Sequence, residues 1–334
     1  MDGPRVMSLA ARALALCAAA LAGGQCPAQP LSAQDNYPAR SIRIIVAASP
    51  GSADEFFART LGRSLEAVYR QRIVIDSRPG AGGLIGNAVV SKGGADGYTL
   101  GMVGVTRIIT ALMREQPPYR PLADIAGVAH VASITNVLVV TPAIQARTAR
   151  EFVNYARVHP GELNYASTGI GSAAHLAGEV FTRALGIDAV HVPFRSMTNT
   201  VVEIGMGEVH YAILTLPAAL ASLRDGRLRA LAVMTPQRSI TLPELPAIAE
   251  SGLPEAQFDS WAGVVVPTGT PRRIVEQLHG DIVRVLRDPA IRKQFVSQGA
   301  ESMTESTPDG FMRYMQEEYL RYQALISQSG VKAE

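Results

Sequence analysis

Residues 163–184 carry the pattern that most restricts what this chain can become. Leu163-Asn164-Tyr165-Ala166 reads as a short strand, and Ser167-Thr168-Gly169-Ile170-Gly171-Ser172 as a polar turn broken by glycine. Ala173, Leu176, Ala177, Val180, Phe181 and Ala184 then recur at helical spacing, so a helix starts near Ser172. A strand feeding a helix through a tight turn leaves the first helical amides without intrahelical partners, all pointing one way. Such a terminus carries about half a positive charge and takes a carboxylate or phosphate without a basic side chain. The two glycines admit a ligand to the backbone, and the hydroxyls of Ser167, Thr168 and Ser172 can orient it.

The same alternation runs along the chain. Strands are expected at 42–48, 72–76, 98–103, 136–140, 190–194, 209–214, 228–233 and 260–267, with helices between most of them. Phe57, Leu61, Leu65 and Val68 mark the face of the first helix. Three closing helices are announced by Thr270-Pro271, Asp288-Pro289 and Thr307-Pro308, each read as an N-cap followed by proline at the first helical position. This predicts an α/β fold of mainly parallel sheets flanked by helices, with a second domain over 138–260.

Length leaves room for two cores, at 334 residues. A formal charge of +2 with no basic block argues against nucleic acid as a partner. Residues 1–33 read as a cleaved Sec-type signal peptide: Arg5 and Arg12 precede the apolar run 13–22, and cleavage is expected after Ala28 or Ala33. A lipid anchor on Cys26 is the rival reading, opposed by Gln25 where a small residue is wanted. Cys17 and Cys26 both lie in this segment, so the mature chain is expected to use no disulfide or thiolate, in the periplasm.

Several site readings compete. Gly169-x-Gly171-x-x-Ala174 matches a dinucleotide fingerprint, but Asp188 precedes the next strand where a ribose-binding acid should end it. Tyr165 occupies the first glycine position of a nucleophile elbow around Ser167. His175 is expected to pack or hydrogen-bond locally, and the histidines show no metal-ligand spacing. The turn Arg78-Pro79-Gly80-Ala81-Gly82-Gly83 reads as a device for close helix–strand packing. Trp261 is either a cleft-wall residue or simple core. No cofactor and no catalysis are expected. What remains is a set of strand ends with small polar residues: Ser49, Pro50, Gly51, Ser52, Ala53 and Asp54; Gly104 and Thr106; Ser167, Thr168, Gly169, Gly171, Ser172 and Ala173; and Thr215. Ligands of open α/β sheets bind outside the carboxyl ends of strands. Arg107 and Arg195 are the cations placed near those ends.

With these residues read, the chain resembles the periplasmic receptors of tripartite tricarboxylate transporters, the Bug family. The stretches that carry the resemblance include Ser77-Arg78-Pro79-Gly80-Ala81-Gly82-Gly83, Asp96-Gly97-Tyr98-Thr99-Leu100, Asn164-Tyr165-Ala166-Ser167, His175-Leu176-Ala177-Gly178-Glu179 and Val190-His191-Val192-Pro193-Phe194. The resemblance implies a two-domain, type II periplasmic-binding-protein fold with two crossings, residues 37–137 plus 261–334 forming one domain. It implies a small carboxylated or amide-bearing solute held by the loops Ser49–Asp54 and Ser167–His175, His175 included. Implied partners are membrane transporter subunits or, alternatively, a sensor kinase ectodomain, with the receptor itself a monomer. Two departures bear on the ligand. Asp54 stands where the family has a hydroxyl, and Leu214 where it often has a polar residue, which favours a monocarboxylate, amino acid or amide over a tricarboxylate.

Overall fold

A computed structural model describes residues 37–48 and 50–329; the expected signal peptide, its two cysteines and Ser49 lie outside the described residues. The first sheet is built from β1 (Ile42–Val46), β2 (Ile73–Ser77), β3 (Thr99–Gly104), β4 (Ile125–Ile134), β10 (Ser260–Pro267) and β11 (Ala300–Ser302), in the order β11-β4-β10-β3-β1-β2. The second contains β5 (Asn136–Val140), β6 (Leu163–Ser167), β7 (Ala189–Pro193), β8 (Tyr211–Thr215) and β9 (Arg229–Val233), in the order β7-β6-β8-β5-β9. The chain passes from the first sheet to the second between Ile134 and Asn136, and returns between Val233 and Ser260.

The α/β class holds, with one qualification: the sheets are mixed, not mainly parallel. β1 pairs in parallel with β2 and β3, and β6 with β7 and β8. The strands beside the crossings run the other way, β10 against β3 and β4, and β5 against β8 and β9. A strand that carries the chain from one sheet to the other enters its sheet from the cleft end, opposite to strands that finish there. β4 and β11 escape a periodicity reading, β4 because its alanines and glycine give no clear pattern and β11 because it is three residues long.

Ten helices are described here. α1 (Ala53–Tyr69), α2 (Leu84–Ser91), α3 (Thr106–Leu112), α4 (Ala149–Val158), α5 (Ala173–Ala184), α6 (Met197–Met206) and α7 (Leu216–Arg224) follow strands; α8 (Arg272–Leu286), α9 (Pro289–Ser297) and α10 (Pro308–Ser329) close the chain. Asp288 caps α9 by accepting the Ala290 N–H at 2.7 Å, and Thr307 accepts the Gly310 N–H at 3.0 Å. The third expected cap is displaced. Pro271 itself sits at the N-cap of α8, while the Thr270 hydroxyl donates to the Pro267 carbonyl at 2.7 Å. Phe57, Leu61 and Leu65 are buried as the helical spacing requires, whereas Val68 is exposed at the helix end. No described helix is long and apolar enough to cross a membrane.

The two crossings are tied to each other. Met234 N–H donates to the Asn136 carbonyl at 2.8 Å, and Phe258 N–H to the Met234 carbonyl at 2.9 Å. The buried Asn136 amide donates to the Phe258 carbonyl at 2.9 Å and the Ser260 hydroxyl at 2.8 Å.

Candidate ligand-binding cleft

A cleft of about 690 Å³ opens where strands of both sheets end. From the first sheet it is lined by Ser52, Ala53, Asp54, Gly104 and Thr106; from the second by Thr168, Gly169, Ser172, Ala173 and Thr215. These expected residues, far apart in sequence, are brought together. Pro50, Gly51, Ser167, Gly171 and His175 are not on its lining: Pro50 and Gly51 are exposed, and Ser167, Gly171 and His175 are buried.

The α1 terminus shows how. Ser52-Ala53-Asp54-Glu55 forms a capping box: the Ser52 hydroxyl accepts the Glu55 N–H at 3.3 Å, and the Glu55 carboxylate accepts the Gly51 N–H at 2.7 Å. Burial alone would raise the Glu55 carboxyl, but the Gly51 N–H and Arg59 outweigh it and hold it below its usual range. Asp54 is therefore not the cap of its own helix. It stands in the first turn, half-buried at the cleft wall beside Gly104, with burial pushing its carboxyl up to about 7. A Cβ on Gly104 would lie 3.6 Å from Asp54 Oδ1 and 2.7 Å from the Trp261 carbonyl oxygen, so only glycine lets β10 and Asp54 meet here.

The α5 terminus is more occupied than its sequence suggests. Ser172 caps the helix by accepting the His175 N–H at 3.2 Å. Gly169 N–H donates to the Ser167 hydroxyl at 3.1 Å, and Gly171 N–H to His175 Nδ1 at 3.2 Å. Neither glycine amide is open to a ligand; Ala173 and Ala174, whose N–H groups belong to the first helical turn, line the cleft instead. Behind the turn, Ser167 Oγ lies 2.6 Å from His191 Nε2, and His191 stacks between His175 (4.0 Å) and Tyr165 (4.9 Å). Tyr165 donates to Glu179 at 2.5 Å. Burial lowers both histidines, His191 to about 4, the nearby His175 adding to the effect, so the stack is neutral at neutral pH. His175 is thus local packing and hydrogen bonding, as its place one turn into a helix implies.

The cations differ from expectation. Arg107 is buried at 1% exposure, donating to the Pro121 and Asn87 carbonyls and the Ser91 hydroxyl, with Tyr119 under its guanidinium. Burial pushes it down to about 10, and its donors are engaged in holding α2 and α3 together. Arg195 is exposed at the rim. Arg114, which follows α3, also lines the cleft and has no ion-pair partner among the described residues. No sequence signal singles it out, because it is the packing of α3 beside the turn at Gly171 that places it there.

Two other readings resolve. Trp261 is both core and wall: it is 1% exposed, packs on Phe311 and Tyr314, and donates from Nε1 to Glu318 at 3.3 Å. In the turn at Arg78–Gly83, Gly83 and the following Gly86 do serve packing, with the Ala47 backbone 2.8 and 2.6 Å from where a Cβ would stand. Gly80, Ala81 and Gly82 additionally line the cleft.

Two α/β sheets joined by tied crossings, with a cleft at their strand ends, form a fold of the periplasmic-binding-protein type. The model of the tripartite tricarboxylate transporter family receptor matches residues 57–331, and the chain belongs to that family. It is 34% identical over 307 residues to protein BugT of Bordetella pertussis, covering 91% of this chain and 94% of that one. Rpa4515 of R. palustris, solved with adipate, is 31% identical with a TM-score of 0.85 over 89% of this chain and 99% of its own. MatC of Rhodopseudomonas palustris, solved with bound malate, is 26% identical with a TM-score of 0.81 over 87% and 100%.

Proposed function

We propose that this protein captures a small carboxylate or carboxamide-bearing metabolite in the periplasm and delivers it to a tripartite tricarboxylate-type transporter. The observation that carries the reading is the shared cleft: each sheet supplies its strand ends and one helix N-terminus, so neither side surrounds a ligand alone. The adipate and malate held by relatives of the same fold agree with a small carboxylate. Residues 37–134 with 260–329 act as one lobe and 136–259 as the other, hinged at the two crossings.

Asp54 refines the ligand class. A carboxylate about 4 Å from an ionised Asp54 is repelled by roughly 4 kcal/mol at an effective dielectric near 20. An ammonium, amide or hydroxyl facing Asp54 meets no such penalty. Leu214 is buried in the core of the second sheet and offers the cleft nothing polar. Above about pH 7, where Asp54 is ionised, an amino acid, a monocarboxylate or an amide therefore fits better than a tricarboxylate.

A thermal-shift panel of citrate, succinate, adipate, malate, glutamate, aspartate and nicotinamide tests this. Ligand at about 100 times its dissociation constant adds about 2.7 kcal/mol, a rise of several degrees. Glutamate, aspartate or nicotinamide should exceed citrate. A largest shift with citrate, unchanged in order by Asp54→Ser, overturns the ligand class; no shift with any of them overturns the receptor reading.

A further inference from the structure

Gly82 touches the opposite side of the cleft. A Cβ there would stand 3.1 Å from the Ile170 carbonyl oxygen and 3.4 Å from the Gly171 carbonyl carbon. Gly82 belongs to the glycine turn after β2 in the first sheet, Ile170 and Gly171 to the turn after β6 in the second. The two turns rest backbone on backbone. Thr110 of α3 joins them: its methyl would lie 3.1 Å from a Cβ on Gly82 and 3.7 Å from one on Gly171. The Thr110 carbonyl accepts Arg114 Nη1 at 3.2 Å, and that nitrogen would be 3.7 Å from a Cβ on Gly171. Arg114 is half-buried and lines the cleft next to the turn that opens into α5.

We propose that Arg114 meets the carboxylate of the bound solute, and that Gly82 brings it there by seating bare backbone on the Ile170–Gly171 turn when the cleft closes. The assignment rests on the solute-binding reading. A guanidinium offers a carboxylate paired, charge-assisted donors beside the first-turn amides of α5. Arg107 also borders the cleft, but its Nε, Nη1 and Nη2 already donate to Pro121, Asn87 and Ser91. The contact also explains why Gly82 must lack a side chain: any Cβ wedges the turns apart and withdraws Arg114 from Gly171.

Calorimetry with glutamate, adipate and nicotinamide, on the unaltered protein and on Arg114→Gln, Arg114→Lys, Gly82→Ala and Gly186→Ala, tests the proposal. Gly186 has nearly the same positive φ as Gly82, +61° against +65°, but nothing within 4 Å of its Cβ position, so it controls for backbone strain. Arg114→Gln should weaken binding of the acids about tenfold while leaving nicotinamide unchanged, and Arg114→Lys should recover part of the loss. Gly82→Ala should weaken the acids by at least as much and blunt the fall in radius of gyration on binding; Gly186→Ala should do neither. Acids bound equally by Arg114→Gln, or nicotinamide weakened equally with them, overturn the role of Arg114. A Gly82→Ala that binds and compacts like Gly186→Ala overturns the closing contact. If the unaltered protein binds none of the three probes, the receptor reading itself fails and the proposal falls with it.

Discussion

Asp54 is the residue on which the proposed ligand class turns, and its chemistry is set by position. Two residues past the N-cap it would ordinarily be a favourable acid in a first helical turn. Here the protein crowds it against Gly104 with no cation beside it, and the carboxyl is raised from 3.8 to about 7. The folded state then binds more protons than the unfolded state between those values. The resulting penalty is absent in acid, grows as pH rises from about 3.8, and is fully present above about 7. Asp54→Asn should therefore melt higher than the unaltered protein above neutrality, with the gap closing towards pH 4. A gap that is constant across this range would show that Asp54 is ionised throughout.

At the scale of elements, the two helix termini facing the cleft are built on one plan with different outcomes. Both are capped by serine, Ser52 on α1 and Ser172 on α5. In α1 the reciprocal partner is Glu55, which accepts the Gly51 N–H and leaves the Asp54 side chain to the cleft. In α5 the residue three past the cap is His175, which takes the Gly171 amide and cannot do so if protonated at Nδ1. Glu55→Gln should cost about 0.5–2 kcal/mol, seen as a lower melting temperature at neutral pH. The folded Glu55 carboxyl lies below 4.5, so this stabilisation is present above that value and disappears as pH falls through the folded value. Equal melting of the two proteins at neutral pH would mean that the capping box contributes nothing.

For the whole molecule, the proposed closure is governed by the tied crossings. Asn136 joins the start of β5 to Phe258 and Ser260 at the start of β10, so both passages bend as one unit. Closure by rotation about this unit leaves the sheets intact and changes only the cleft. The radius of gyration should fall on saturation with whichever panel compound gives the largest thermal shift; an unchanged radius would count against a ligand bridging both sheets. Asn136→Ala strands the buried Phe258 carbonyl and Ser260 hydroxyl, and should destabilise the protein by about 1–3 kcal/mol in a denaturant titration. A loss within a few tenths would mean that the crossings do not depend on this side chain.

The alternation of β-branched runs with amphipathic stretches was enough to read the α/β class, the order of most elements and the strand ends that line the cleft, because each depends on contacts local in sequence. Glycine turns after β1 and β6 were legible for the same reason. Strand direction beside the crossings was not, since it depends on how the chain returns between sheets over more than a hundred residues. Nor could the sequence show that His175 occupies Gly171, that Arg107 is consumed inside the first sheet's helices, or that Arg114 reaches the cleft. Those assignments are competitions among polar groups for a limited number of nearby partners. A side chain's partner is chosen by what the folded chain brings within about 3 Å, and only tertiary packing makes that choice.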